Sequence, residues 1–339
     1  METQFRYVIP VEPHAATGRV AQVYAQLADD FGMARMAVFL TLSPAPEVLA
    51  ATWSMLRESL LAGDASRTGK EVVALGVSMA NRCPFCVAAH TTLLHATGDH
   101  RLAETIARGG TPDDPEHAAL LAWATSRRGG AGPEHAGGAG LGPEHIGTAL
   151  AFHFINRMAS ALLTENLLPA NLQKSRLVRS VGGRVMARTV RRRLPPGESL
   201  PLIADLPARP EPAWGAGTAF GAAYAALRAV GADGGELLGD AARAAVAGTV
   251  AAWDGEHPPM GGAWLDTPLA EVPDGERAGA RLALLTALAP YRVTDADVAA
   301  WRGSRPDEDL VRLCAFGAAS AMERMETLIT GSALTGGRS

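Results

Sequence analysis

The chain has 339 residues, of which 47% are hydrophobic, 19% charged and 5% aromatic, with a net charge of -4. That apolar fraction supplies a full core and excludes intrinsic disorder, and the length corresponds to about two domains at roughly 100–200 residues each. The charge excludes a general nucleic-acid binder, and no stretch approaches the ~20 consecutive apolar residues of a membrane span, so neither partner is expected.

Met1–Gly18 mixes charges with Pro10, Pro13 and His14 and has no apolar run of a secretory leader. From there the apolar pattern is helical. Gly18–Phe31 places Val20, Val23, Leu27 and Phe31 at steps of three and four. Pro46–Leu61 repeats this with Val48, Leu49, Trp53, Leu56 and Leu60, and Pro46 suits a first helical turn. Further helices are predicted over Thr68–Ala80, Pro84–Ala96, Pro115–Arg127 and Gly142–Leu163, the last striped by Ile146, Leu150, Phe154, Met158 and Leu162. The glycine-rich run from Gly129 to Gly142 reads as a loop. Lys174 to Arg193 is basic, with no acid; proline-rich sequence then runs to Pro212, as a helix feeding an extended linker would. The basic run reads as a solvated connector to acidic surface, with its helix weakened at Gly182-Gly183. No segment alternates as a strand does, so the expected fold class is all-α.

A bundle pattern occurs twice. Trp53–Arg57 resembles Tyr224–Arg228 at an offset of 171, Leu120-Leu121 resembles Leu284-Leu285 at 164, and Arg157-Met158 resembles Arg324-Met325 at 167. The expected organisation is a first unit over 1–165, a basic then proline-rich linker over 166–209, and a degenerate second unit over 210–339. An offset of 171 carries Glu71, Cys83, Cys86 and His90 onto Ala242, Asp254, His257 and Gly261, so the second unit has no cysteine pair.

Three cysteines cannot build a disulfide framework, and a reducing, cytoplasmic location is the expectation. Two of them, Cys83 and Cys86, lie at i and i+3 where Asn81, Arg82 and Pro84 break one helix and start the next. That spacing lets two sulfurs meet, and a helix N-terminus favours a thiolate. His90 is one turn beyond Cys86 on the same face, placed to take a thiol proton. Glu71 reaches His90 only if a turn near Asn81 folds the two helices together, and its carboxylate would then orient the imidazole. Zinc would need four ligands where Cys83, Cys86 and His90 supply three, so no metal is expected. Cys314 reads as a buried small hydrophobe.

The pattern Glu-x11-Cys-x2-Cys-x3-His at Glu71, Cys83, Cys86 and His90 resembles the signature of the AhpD-like alkylhydroperoxidases in the carboxymuconolactone decarboxylase superfamily. Phe152–Arg157 is similar to that family's Asn-Arg element, which makes His153 and Asn156 candidates to line a substrate site. The resemblance implies a helical bundle and a thiol-dependent peroxidase or disulfide oxidoreductase. In it, Cys86 attacks, Cys83 resolves, His90 is the base and Glu71 its orienter. It also implies a hydroperoxide substrate, no cofactor beyond the Cys83–Cys86 dithiol, a dithiol or protein electron donor such as a peroxiredoxin, and a homo-oligomer. Phe85 departs from the prototype, which has histidine between the cysteines. The alternatives are a decarboxylase of the same superfamily, against which the two cysteines count, and a non-catalytic helical assembly module.

Overall fold

The computed structural model describes residues 4–126, 141–166, 172 and 175–335. Most of the glycine-rich loop and Lys174 at the head of the basic run lie outside them. Helices α1 (Gly18–Phe31), α2 (Ala37–Leu40), α3 (Pro46–Leu56), α4 (Arg67–Ala80) and α5 (Pro84–Thr97) are followed by α6 (His100–Ala107), α7 (Pro115–Thr125) and α8 (Pro143–Leu162). Helix α9 (Arg176–Val190) leads to α10 (Ala219–Asp233), α11 (Asp240–Ala252), α12 (Asp266–Leu269), α13 (Asp274–Leu288), α14 (Asp295–Arg302) and α15 (Asp307–Thr335). The all-α expectation holds: among the described residues the only extended pairings are isolated bridges, Phe5 with Leu163 and Ala62 with Leu194. No helix among them is long and apolar enough to cross a membrane.

Local chemistry explains the helix starts. Proline occupies the first turn of α3, α5, α7 and α8, where its missing N–H leaves nothing unsatisfied. Side chains of Ser66, Asp99 and Asp114 cap α4, α6 and α7 by accepting backbone N–H groups of Gly69, Leu102 and Glu116. The helix predicted over Pro46–Leu61 divides, with α3 ending at Leu56 and a π-helical turn over Arg57–Leu61. That turn holds Arg57, fully buried, which bonds Asp30 at 2.7 Å, Glu58 at 2.9 Å and also Glu198. Glu58 in turn accepts from the backbone N–H groups of Gly197 and Ser199, so the proline-rich segment is pinned to the first half by buried charge.

Helix α4 packs against α5, α7 and α8, and α9 covers α5. Helix pairs that correspond in the sequence repeat lie against each other, α3 on α10 and α8 on α15. One hydrophobic cluster runs from Val8 to Ile329 through both halves.

The glycine pair in α9 acquires a reason. A Cβ on Gly183 would stand 2.6 Å from His95 Cβ and 3.0 Å from the Ala96 nitrogen, so glycine lets α9 lie close against α5. Arg179 reaches Glu104 on α6 at 2.8 Å, and Arg191 donates to the Ala96 carbonyl at 3.1 Å. The basic segment is therefore a packed helix over the site helix, with Leu177 and Val185 exposed on its outer side. Gly183→Val should cost about 1–3 kcal/mol by forcing the helices apart. A melting-temperature comparison with Gly248→Ala, where an added Cβ meets open space, checks this.

Candidate active site

Helix α4 ends in a tight turn that launches α5. The Arg82 N–H bonds the Met79 carbonyl at 3.1 Å and the Cys83 N–H bonds the Ser78 carbonyl at 3.0 Å, a Schellman closure. The left-handed position of that motif, usually glycine, is held by Arg82 at φ 54°, the one non-glycine residue with positive φ among the described residues. Cys83 is at once the last residue of this turn and the N-cap of α5. Two helices thus meet at one cysteine.

The geometry follows from that turn. Cys83 Sγ accepts the Cys86 N–H at 3.4 Å, and the two sulfurs are 2.7 Å apart. All three cysteines are free thiols and buried. Burial raises the Cys83 thiol, but hydrogen bonds from the Cys86 thiol and the Cys86 N–H help to outweigh it and leave Cys83 below its usual value. Burial pushes Cys86 well up, and the adjoining Cys83 adds to the rise; a hydrogen bond from Asn156 opposes it. Burial and hydrogen bonding therefore push the two thiols in opposite directions, Cys83 down and Cys86 up.

The predicted fold-back of α4 on α5 brings the carboxylate to the imidazole. Glu71 Oε2 is 2.7 Å from His90 Nδ1, so His90 donates Nδ1–H to the carboxylate and keeps Nε2 as its basic nitrogen. Glu71 is fully buried; burial raises its pKa, but Arg67 and His90 outweigh this and hold it below the usual carboxylate value. Arg67 binds Glu71 Oε1 through Nε at 3.0 Å and Nη2 at 2.8 Å. The Phe152 ring stands edge-on to His90 at 4.4 Å. Arg67 escaped the sequence reading, although its position four residues before Glu71 on a helix is a usable signal.

The structure places His153 and Asn156 behind the turn between α4 and α5. Both are buried on α8. The Asn81 amide donates to His153 Nδ1 at 3.3 Å and to Asn156 Oδ1 at 3.0 Å, and Asn156 donates to Ser78 Oγ at 3.1 Å. They brace the turn behind the thiols. A cleft of about 300 Å³ reaches Cys83 and is lined by Arg6, Cys83, Phe85, Ser160, Glu165 and Tyr291, among others. Tyr291 comes from the second half, and Arg82 stacks on its ring at 5.6 Å. The sequence repeat placed the chemistry in the first unit and did not reveal this wall. Cys314 is remote from the pair, and burial pushes its thiol up to about 12. Among the described residues no group of three or more His, Cys, Asp or Glu side chains is placed to hold a metal ion.

The sequence profile described as "Carboxymuconolactone decarboxylase family" matches residues 46–136. The chain is 39% identical over 335 residues to the alkyl hydroperoxide reductase Rv2159c of Mycobacterium tuberculosis, covering 96% of this chain and 95% of that protein. No solved structure matches.

Proposed function

The chain belongs to the AhpD-like carboxymuconolactone decarboxylase superfamily, and from that membership we propose that it reduces hydroperoxides through the Cys83–Cys86 dithiol. The observation that carries this reading is the pair of sulfurs 2.7 Å apart at the start of α5, on the helix that also holds His90 bound to Glu71 at 2.7 Å. The activity for which the Mycobacterium tuberculosis relative is named, alkyl hydroperoxide reduction, points the same way.

In the proposed cycle a proton passes from Cys86 to Cys83 across their hydrogen bond. The Cys86 thiolate attacks the outer peroxide oxygen, the O–O bond breaks, and the alkoxide leaves as the alcohol after taking a proton, with His90 as relay. Cys86 becomes a sulfenic acid. Cys83 then attacks that sulfur and gives up its proton to the departing hydroxide, so that water leaves and a disulfide forms. An external dithiol, or a protein such as a peroxiredoxin, reduces the disulfide by exchange and is itself oxidised. The pair must begin reduced, which suits a cytoplasmic protein. Glu71 and Arg67 are positioning residues here, since they act through His90.

With dithiothreitol as reductant, the protein should consume an alkyl hydroperoxide catalytically, at one dithiol oxidised per peroxide. Peroxide loss no faster than in the protein-free control would overturn the proposal.

A further inference from the structure

A second buried polar site lies behind the thiol turn, between the two halves. Arg157 on α8 is 3% exposed and His153, one turn earlier, is 5% exposed. Arg157 donates from Nε to the Ala287 carbonyl at 2.7 Å and from Nη1 to the His153 carbonyl at 2.6 Å. Its face lies 5.5 Å from the Trp253 ring centre. No carboxylate pairs with it among the described residues, and the one influence on its pKa is burial, which lowers it to about 9. It is therefore a cation at neutral pH with no anion beside it among the described residues, an unfavourable arrangement for a charge removed from water. Its Nη2 donates to no protein group among the described residues.

His153 contributes a second unused donor. Its Nδ1 faces donors from Asn81 at 3.3 Å and Arg157 Nη1 at 3.4 Å, so Nδ1 must carry the lone pair. Burial, with the Arg157 charge adding to it, keeps the ring neutral. The proton is thus on Nε2, which has no acceptor in the protein among the described residues. Both side chains line one cavity with Asn81, Trp253 and Leu288, with about 10 Å³ open to the centre of a water-sized particle. That is room for one particle of about water's size.

We propose that this cavity is a binding site for one halide ion, chloride in the cell, held by Arg157 Nη2 and His153 Nε2–H. The ion supplies the missing counter-charge and the acceptor that both donors lack, whereas a water molecule supplies the acceptor alone. The site touches the redox turn through His153 and Asn81, but its occupancy does not depend on the peroxidase reading.

Crystals soaked in sodium bromide test it, together with melting of the reduced protein in sodium chloride, sodium bromide and sodium gluconate at equal ionic strength. The expected result is one anomalous bromide peak within hydrogen-bond distance of Arg157 and His153, with a melting temperature that rises saturably in halide and not in gluconate. His153→Phe, which removes one donor and keeps both carbonyl bonds of Arg157, should weaken the halide response at least about tenfold in midpoint. Arg157→Met should abolish it if it folds. A cavity that holds water with no bromide signal, or melting that is equal in halide and gluconate, overturns the proposal.

Discussion

Cys86→Ser should lower peroxide turnover by at least about 1,000-fold, because a serine hydroxyl cannot replace a thiolate as nucleophile at neutral pH. Cys83→Ser should behave differently. It removes the resolving sulfur, so one equivalent of peroxide should still be consumed, and Cys86 should accumulate as a sulfenic acid that a dimedone-type trap captures. The resting electrostatics make this a sharp test, since hydrogen bonds hold Cys83 low while burial and its neighbour push Cys86 up. Trapping on Cys83 in the Cys86→Ser protein, with none on Cys86 in the Cys83→Ser protein, would reverse the order of the two sulfurs.

Glu71→Ala should destabilise the fold by about 3–5 kcal/mol, the range for removing one partner of a buried ion pair. The carboxylate is fully buried between Arg67 and His90, and its loss leaves both without their acceptor. Glu71→Gln, which keeps the shape, should lose about 10–100-fold in turnover, the scale seen when a partner that orients an imidazole is removed, and should displace the pH profile of Cys86 alkylation. An unchanged profile would remove Glu71 from the chemistry and leave it a structural role. The linkage sign is fixed by the lowered carboxyl pKa. Because the unfolded chain binds that proton more readily, the stabilisation is present above the ordinary carboxylate pKa and is lost as pH falls through the folded value. Urea midpoints measured down the acid side should fall for the native protein, and Glu71→Gln should lack this residue's share of that fall.

The sequence disclosed this site well where the information was local. Periodicity located α1, α3, α4, α5, α7 and α8 to within a few residues, helped in α3 and α5 by proline at the first turn, with the differences lying at the helix ends. The break at Asn81–Pro84 implied the turn, and with it the contact of Glu71 and His90. Short elements left weaker traces: α2 and α6 have four and eight residues, too few for a period to register. What sequence could not give was long-range. The motif offers His153 and Asn156 to a substrate site, and the bonds that both make to Asn81 are not legible in it. Tyr291 enters the cleft from more than 200 residues away, because the Pro290–Arg292 turn that carries it packs on α8 beside Cys83. The glycine pair of α9 read as a weak helix in isolation and proves to be where α5 approaches.

The most direct test is the stoichiometry of the first turnover. The reduced protein, mixed anaerobically with one equivalent of an alkyl hydroperoxide and then digested under alkylating conditions, should yield the peptide spanning Cys83 and Cys86 two mass units lighter. One alcohol should form per disulfide, Cys314 should be alkylated as before, and dithiothreitol should restore both thiols. A peptide that keeps two free thiols while the peroxide persists, or peroxide loss that leaves the pair reduced, would contradict the account.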